Sequence, residues 1–173
     1  MAHAMLRARR APGRGRRDRG AVAVEFALIM PILVTLVFGI ISYGYMLSFR
    51  QAISQGAAEG ARAGAVTDAG GDVAASARGA VNNALDSYGV ACSGNALERD
   101  GTVVGECKVY VGVWPPPPAV MDACDDSFGG DASRDVVVVK LNYDYDNHPL
   151  IPPLYADLVM PNDLCYIASA ETN

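Results

Sequence analysis

Between Glu25 and Arg50 this chain carries no charged residue, and the uncharged run from Phe26 to Phe49 is predominantly apolar. As a helix rising about 1.5 Å per residue it covers roughly 36 Å, enough to cross a hydrocarbon core of about 30 Å. Leu28, Ile29, Ile32, Leu33, Val34, Leu36, Val37, Phe38, Ile40 and Ile41 surround all sides of such a helix. Lipid requires that distribution, and a soluble amphipathic helix lacks it. A transmembrane helix is therefore predicted over residues 21–49, with the lipid bilayer as a partner. Pro31 lies inside the span and removes one backbone hydrogen bond, which predicts a bend near Ala27.

Charge divides sharply around this span. Arg7, Arg9, Arg10, Arg14, Arg16, Arg17 and Arg19 crowd the first stretch, whereas from Gln51 onward 17 acids face 6 bases. Basic residues are retained on the cytoplasmic side of membranes, so residues 1–20 read as a cytoplasmic leader and the acidic remainder as extracytoplasmic. The leader is Arg-rich, holds Pro12 and three glycines, shows no apolar period and is expected to be disordered in water. In a chain of 173 residues, what remains is one modest domain, too small for a large catalytic core.

Beyond the span, Phe49, Ile53, Ala57, Ala61 and Ala65 recur every fourth residue, so the helix is expected to continue to about Val66 as a stalk within residues 50–70. Gly56, Ala57, Gly60, Ala61 and Gly64 permit close helix contact, either with like helices or with the chain's own head. A head domain is assigned to residues 71–173. Asp72 is suited to N-cap a second helix with apolar positions Val73, Ala77, Ala80, Val81, Ala84 and Leu85, which Gly89 ends.

The period then changes to two. Asp100-Gly101 is a turn signal, and three strands are predicted: one through Cys107, Val109, Val111 and Val113, one over Val136 to Tyr145, and one over Leu164 to Ala170. The prolines from Pro115 to Pro118 cannot donate to a ladder and predict an extended loop that continues to Ser133. Trp114, Tyr110, Tyr143 and Tyr145 at strand positions read as packing residues. The fold class is α+β: a long N-terminal transmembrane and stalk helix, a second helix and a small antiparallel sheet.

Cys92, Cys107, Cys124 and Cys165 all fall in the acidic part, and none stands in a C-x-x-C pair or a zinc-like array. An even number of cysteines in a small exported domain is expected to oxidise and to staple a limited core. Of the three pairings that four cysteines allow, Cys92 with Cys107 and Cys124 with Cys165 is favoured.

Other chemistries find less support. The leader arginines lack interleaved aromatics or a recognition fold, and no nucleic-acid partner is expected. Asp122, Asp125, Asp126 and Asp131, and separately Asp144, Asp146 and Asn147, offer oxygen ligands without EF-hand spacing, so no metal site is assigned. His148 has no nucleophile beside it in a known pattern, Ser127 and Ser133 lack a nucleophile elbow, and there is no phosphate loop. Neither an enzyme nor a cofactor is predicted.

The most informative feature is Gly20 followed by Ala21-Val22-Ala23-Val24-Glu25-Phe26, where the basic leader meets the apolar span. It resembles a type IV prepilin processing site. The resemblance implies cleavage by a prepilin peptidase between Gly20 and Ala21 on the cytoplasmic face, leaving Glu25 as the fifth residue of the mature chain. An acid in an apolar helix costs about 2.5–3.5 kcal/mol on insertion scales and needs a partner. Cleavage supplies one: the α-amino group of Ala21 lies one turn from Glu25, on its own helix or a neighbour's. A misregistered Glu25 would stay without a partner in lipid, so the pairing can set axial register as subunits assemble.

The wider segment from Arg19 to Val66 resembles the opening of TadE-like proteins, minor pseudopilins of the tight-adherence (Tad, Flp) pilus system. Glu25-Phe26, Pro31, Gly39 and Glu59-Gly60-Ala61-Arg62 carry the likeness, and "VVVVKLNYDYDNHPLIP" with "CYIASAE" is more loosely similar to the family's closing strands. The resemblance implies a pilin-like protein of the inner membrane with its N-terminus cytoplasmic, associating through its helix with other pilins, pseudopilins and the Tad assembly machinery. With no von Willebrand-like insertion, the chain looks closer to TadE than to the longer TadG relatives. The competing reading is an uncleaved single-pass anchor, in which Glu25 snorkels to the headgroups and a disulfide-stabilised binding domain faces outward.

Overall fold

A computed structural model describes residues 18–68, 70–117, 134–151 and 161–172. The chain divides into two compact units, Met1–Ile40 and Ile41–Asn173. Helix α1 runs over Asp18–Ala65, with Pro31 inside it. Its leading residues, Asp18 to Gly20, belong to the stretch that composition assigns to an unstructured leader; the rest of that stretch lies outside the described residues. In the first unit Val22, Phe26, Leu28, Ile29, Ile32, Leu36 and Ile40 are all exposed. Over Gly20–Ala65 the most apolar window reaches a mean hydropathy of 2.5 with none of it buried, so this is one helix long and apolar enough to cross a membrane.

The second unit takes α1 from Ile41 onward, helix α2 over Val73–Leu85, and strands β1 Val90–Ser93, β2 Ala96–Arg99, β3 Thr102–Val113, β4 Asp135–Asp144 and β5 Asp163–Glu171. The strands pair antiparallel in the order β1-β2-β3-β4-β5. The architecture is α+β, as the change of period from 3.6 to 2 predicts. Asp72 N-caps α2, its carboxylate accepting from the Ala75 N–H at 3.0 Å. The helical path continues past Leu85 as a single 3-10 turn over Asp86–Tyr88, which Gly89 closes in the left-handed region at φ 66°.

One expectation about the sheet needs correction. The sequence predicts no strand between Gly89 and Cys107, yet that stretch forms β1, β2 and the start of β3, so the described residues hold five strands instead of three. Short four-residue strands give little alternation to detect, and the signal lay in the turns. Gly94 at φ 60° joins β1 to β2, and Asp100 and Gly101 at φ 52° and 77° join β2 to β3. Both are two-residue hairpins, for which positive φ is the requirement that Gly and Asp meet most readily. The proline loop after β3 is outside helix and strand over Pro115 to Pro117, and Pro118 to Ser133 lies outside the described residues.

The helix-facing side of the sheet is the main core: Val137, Val139, Leu141 and Tyr143 of β4 pack with Phe49, Ile53, Ala57 and Ala61 of α1 and Ala77, Val81 and Leu85 of α2. The small-residue stripe of α1 is spent on this contact. A Cβ on Gly60 would come within 2.8 Å of Val81 Cγ2 and 3.1 Å of the Ala77 carbonyl oxygen; on Gly64 it would meet Val137 Cγ1 at 2.8 Å. Of the two partners that the sequence left open for these glycines, the head itself is the one they touch. Trp114, Val136 and Val138 form a smaller cluster with Tyr110 and Ile167, and in the β3–β4 and β4–β5 registers Val136 and Val138 alternate with the core-facing residues of β4. Lys140, in the same alternation, is fully buried, with its Nζ 3.8 Å from Glu106 Oε2; Lys108 Nζ approaches that oxygen at 2.9 Å. The hydrogen bond from Lys108 holds the Glu106 carboxyl below the usual range, outweighing its partial burial.

Cys92 of β1 and Cys107 of β3 are joined by a disulfide with Cα atoms 5.7 Å apart. The open side of β1 is closed by α2, because Asn82 accepts from the Cys92 N–H at 2.6 Å and donates to its carbonyl at 3.5 Å.

Gly60→Ala gains helix propensity and loses more to the clash: the head is expected to lose about 1–3 kcal/mol in denaturant unfolding of the detergent-solubilised chain. Alkaline pH acts through Tyr143 and Tyr145, whose hydroxyls burial pushes above the usual tyrosine value. Their contribution is complete below about pH 10 and is lost as pH rises through the folded-state values. Tyrosinate absorbance from these two should therefore appear only together with loss of the sheet's circular dichroism.

Candidate functional site

Every residue that the sequence singles out for processing and register lies in the first turns of α1. Gly20, Ala21, Glu25 and Phe26 are all exposed, and nothing stands within 4 Å of where a Gly20 Cβ would be. Ala21 and Glu25 share a face because four residues advance the helix by about 6 Å and slightly more than one turn. Glu25 sits among exposed Val22, Val24, Leu28 and Ile29, a single carboxylate on an apolar cylinder. Among the described residues no group of three or more His, Cys, Asp or Glu is placed to hold a metal ion. The Asp144 group is a local turn: Asp144 accepts from the Asn147 N–H and from its side-chain amide, which holds its carboxyl below the usual range. Asp122, Asp125, Asp126 and Asp131 lie outside the described residues.

Where α1 enters the head, a collar of aromatic rings grips it. Phe49 contacts Tyr88 at 4.9 Å and Tyr143 at 4.8 Å between centroids, Tyr45 meets Tyr88 edge-on at 5.6 Å, and Tyr143 lies 6.2 Å from Tyr145. The hydroxyls of Ser48 and Tyr88 are 2.7 Å apart. Tyr143 donates to the His148 carbonyl at 2.7 Å and accepts from Arg99 at 3.1 Å, so its buried hydroxyl is satisfied. Hydropathy alone puts Met46 and Phe49 in the membrane run; they are 2% and 0% exposed within the head. Tyr88 carries no signal in the sequence, and Arg50 is marked there only as the first charge after the apolar run.

Cys165 is disulfide-bonded like Cys92 and Cys107, while Cys124, the partner expected for it, lies outside the described residues.

A helix that is apolar and bare over its first unit and is then built into the core of a small α+β head has the make-up of a single-pass membrane-anchored protein. Residues 20–62 match the family model described as TadE-like protein. The match opens on Gly20, ends near the last turn of α1 and covers about a quarter of the sequence. No curated protein and no solved structure gives a significant match.

The collar holds the second-unit part of α1 in the head. Phe49→Ala removes the ring shared by Tyr88 and Tyr143, and the expected cost is about 3–5 kcal/mol of head stability, read from denaturant unfolding monitored by tyrosine fluorescence.

Proposed function

We propose that this protein is a minor pseudopilin of a Tad pilus system, processed by a prepilin peptidase between Gly20 and Ala21 and assembled through its N-terminal helix with other pilins and the assembly machinery. The observation that carries the reading is Glu25: a carboxylate on a bare apolar helix, one turn from a residue whose amine cleavage would release. Its mechanism is assembly and not turnover. The leader stays cytoplasmic, α1 spans the inner membrane, and the disulfide-stapled head faces outward, the compartment in which disulfides persist. Glu25 pairs with the Ala21 amine of its own or a neighbouring subunit, and Phe26 helps form the apolar contact surface. In the uncut chain the Gly20–Ala21 bond lies inside helix, so the peptidase must open the first turn, which Gly20 makes easier than any other residue but proline would.

Two measurements test this. Mass spectrometry of the membrane-extracted protein is expected to find a chain beginning at Ala21; an intact arginine-rich leader would instead mark a plain anchor with an extracytoplasmic binding domain. Glu25→Ala should leave membrane insertion unchanged and abolish pilus biogenesis, and normal pili in that variant would remove the register role.

A further inference from the structure

Arg50 is the sole charged residue between Glu25 and Glu59. On the outward side of a membrane helix a basic residue this close to the bilayer runs against the usual distribution of charge, so its position calls for a reason. The reason is visible in its surroundings. Arg50 lines a groove of about 590 Å³ with Leu47, Gln51, Ser54 and Gln55 of α1 and Tyr166 of β5. Its Nε donates to the Tyr166 hydroxyl, and the guanidinium carbon lies 5.8 Å from the centroid of that ring. Tyr166 thus fixes one edge of the guanidinium. Its terminal nitrogens meet no acceptor among the described residues and are left for one from outside.

The level of the groove follows from α1. Met46 and Phe49 are buried in the head, whereas Tyr43 and Tyr45 stay 45% and 38% exposed, so lipid contact ends near Tyr45. About twenty residues from Phe26 to Tyr45 span roughly 30 Å, the thickness of a hydrocarbon core, and tyrosines at such a boundary are the expected interfacial anchors. Arg50 stands about 7.5 Å further along the axis, within the headgroup layer. There the available acceptors are lipid phosphates.

We propose that this groove binds the phosphodiester headgroup of an anionic phospholipid, Arg50 taking the phosphate and Gln51, Ser54 and Gln55 the polar headgroup substituents. Among the described residues the lining carries no carboxylate to hold the ammonium of a zwitterionic lipid, and its neutral amides and hydroxyl suit a polyhydroxyl headgroup such as glycerol. A lipid held here fixes the height of the head above the bilayer. The inference rests on the membrane-spanning reading of α1.

The test is native mass spectrometry of the full chain in mild detergent, titrated with phosphatidylglycerol or phosphatidylcholine, alongside alkaline extraction of the membranes that carry it. Wild type is expected to retain one phosphatidylglycerol roughly tenfold more tightly than phosphatidylcholine, and Arg50→Gln to lose about that tenfold. Gln55→Glu, which sets a carboxylate against the phosphate while keeping size and polarity, should reproduce the loss. Equal retention of the two lipids, or undiminished phosphatidylglycerol binding in both variants, overturns the site. Displacement of the lipid by millimolar inorganic phosphate does so too, by making it a soluble-anion site. Release of wild type by alkaline extraction overturns the anchoring reading and this one together; retention in the membrane with silent variants overturns this one alone.

Discussion

The close approach of α1 to α2 and β4 is the contact on which the head depends. Glycine at positions 60 and 64 lets the helix axis come in until Val81 and Val137 nearly touch its backbone. Only at that separation can Ile53, Ala57 and Ala61 reach the same core as Val139 and Leu141. Small residues do here, inside one subunit, what they are usually credited with between membrane helices. This stretch of α1 is already occupied by the head, which in the proposed assembly leaves contacts between subunits to the exposed apolar part of the helix before the collar.

The same helix therefore has to satisfy two media along its length. In its first unit it presents apolar side chains on every side, and in the second it narrows to a buried stripe with Arg50, Gln51, Ser54 and Gln55 turned elsewhere. Aromatic rings mark the change: Phe49 and Tyr143 are fully buried, while Tyr43 and Tyr45 stay exposed. Around the head, local devices limit exposed edges. Asn82 closes β1, the Cys92–Cys107 disulfide ties β1 to β3 across β2, and the buried Lys140 is balanced by Glu106.

Much of this was legible from the residues. The apolar span followed from an uncharged run of sufficient length, α2 from Asp72 and its apolar period, the β2–β3 turn from Asp100-Gly101, and the oxidation of the cysteines from their even count in an acidic domain read as exported, with Cys92–Cys107 belonging to one of the three pairings that count allows. The β1–β2 hairpin was not, because strands of four residues carry almost no periodic signal and leave the Gly94-Asn95 turn as their one mark. For the candidate processing site the sequence supplied nearly everything, since Gly20, Ala21 and Glu25 are close neighbours whose geometry a single helix dictates.

What the sequence by itself determined is thus whatever depends on near neighbours: helix, cap, turn, and the spacing of Glu25 from the candidate cleavage position. Tertiary structure alone decided which part of α1 the head buries, because hydropathy records that a side chain avoids water without recording what buries it. It alone chose the head as the partner of the glycine stripe, and it alone brought Arg50 to Tyr166 across 116 positions of chain. Such meetings are set by how the helix lies on the sheet, and no local pattern of residues encodes that.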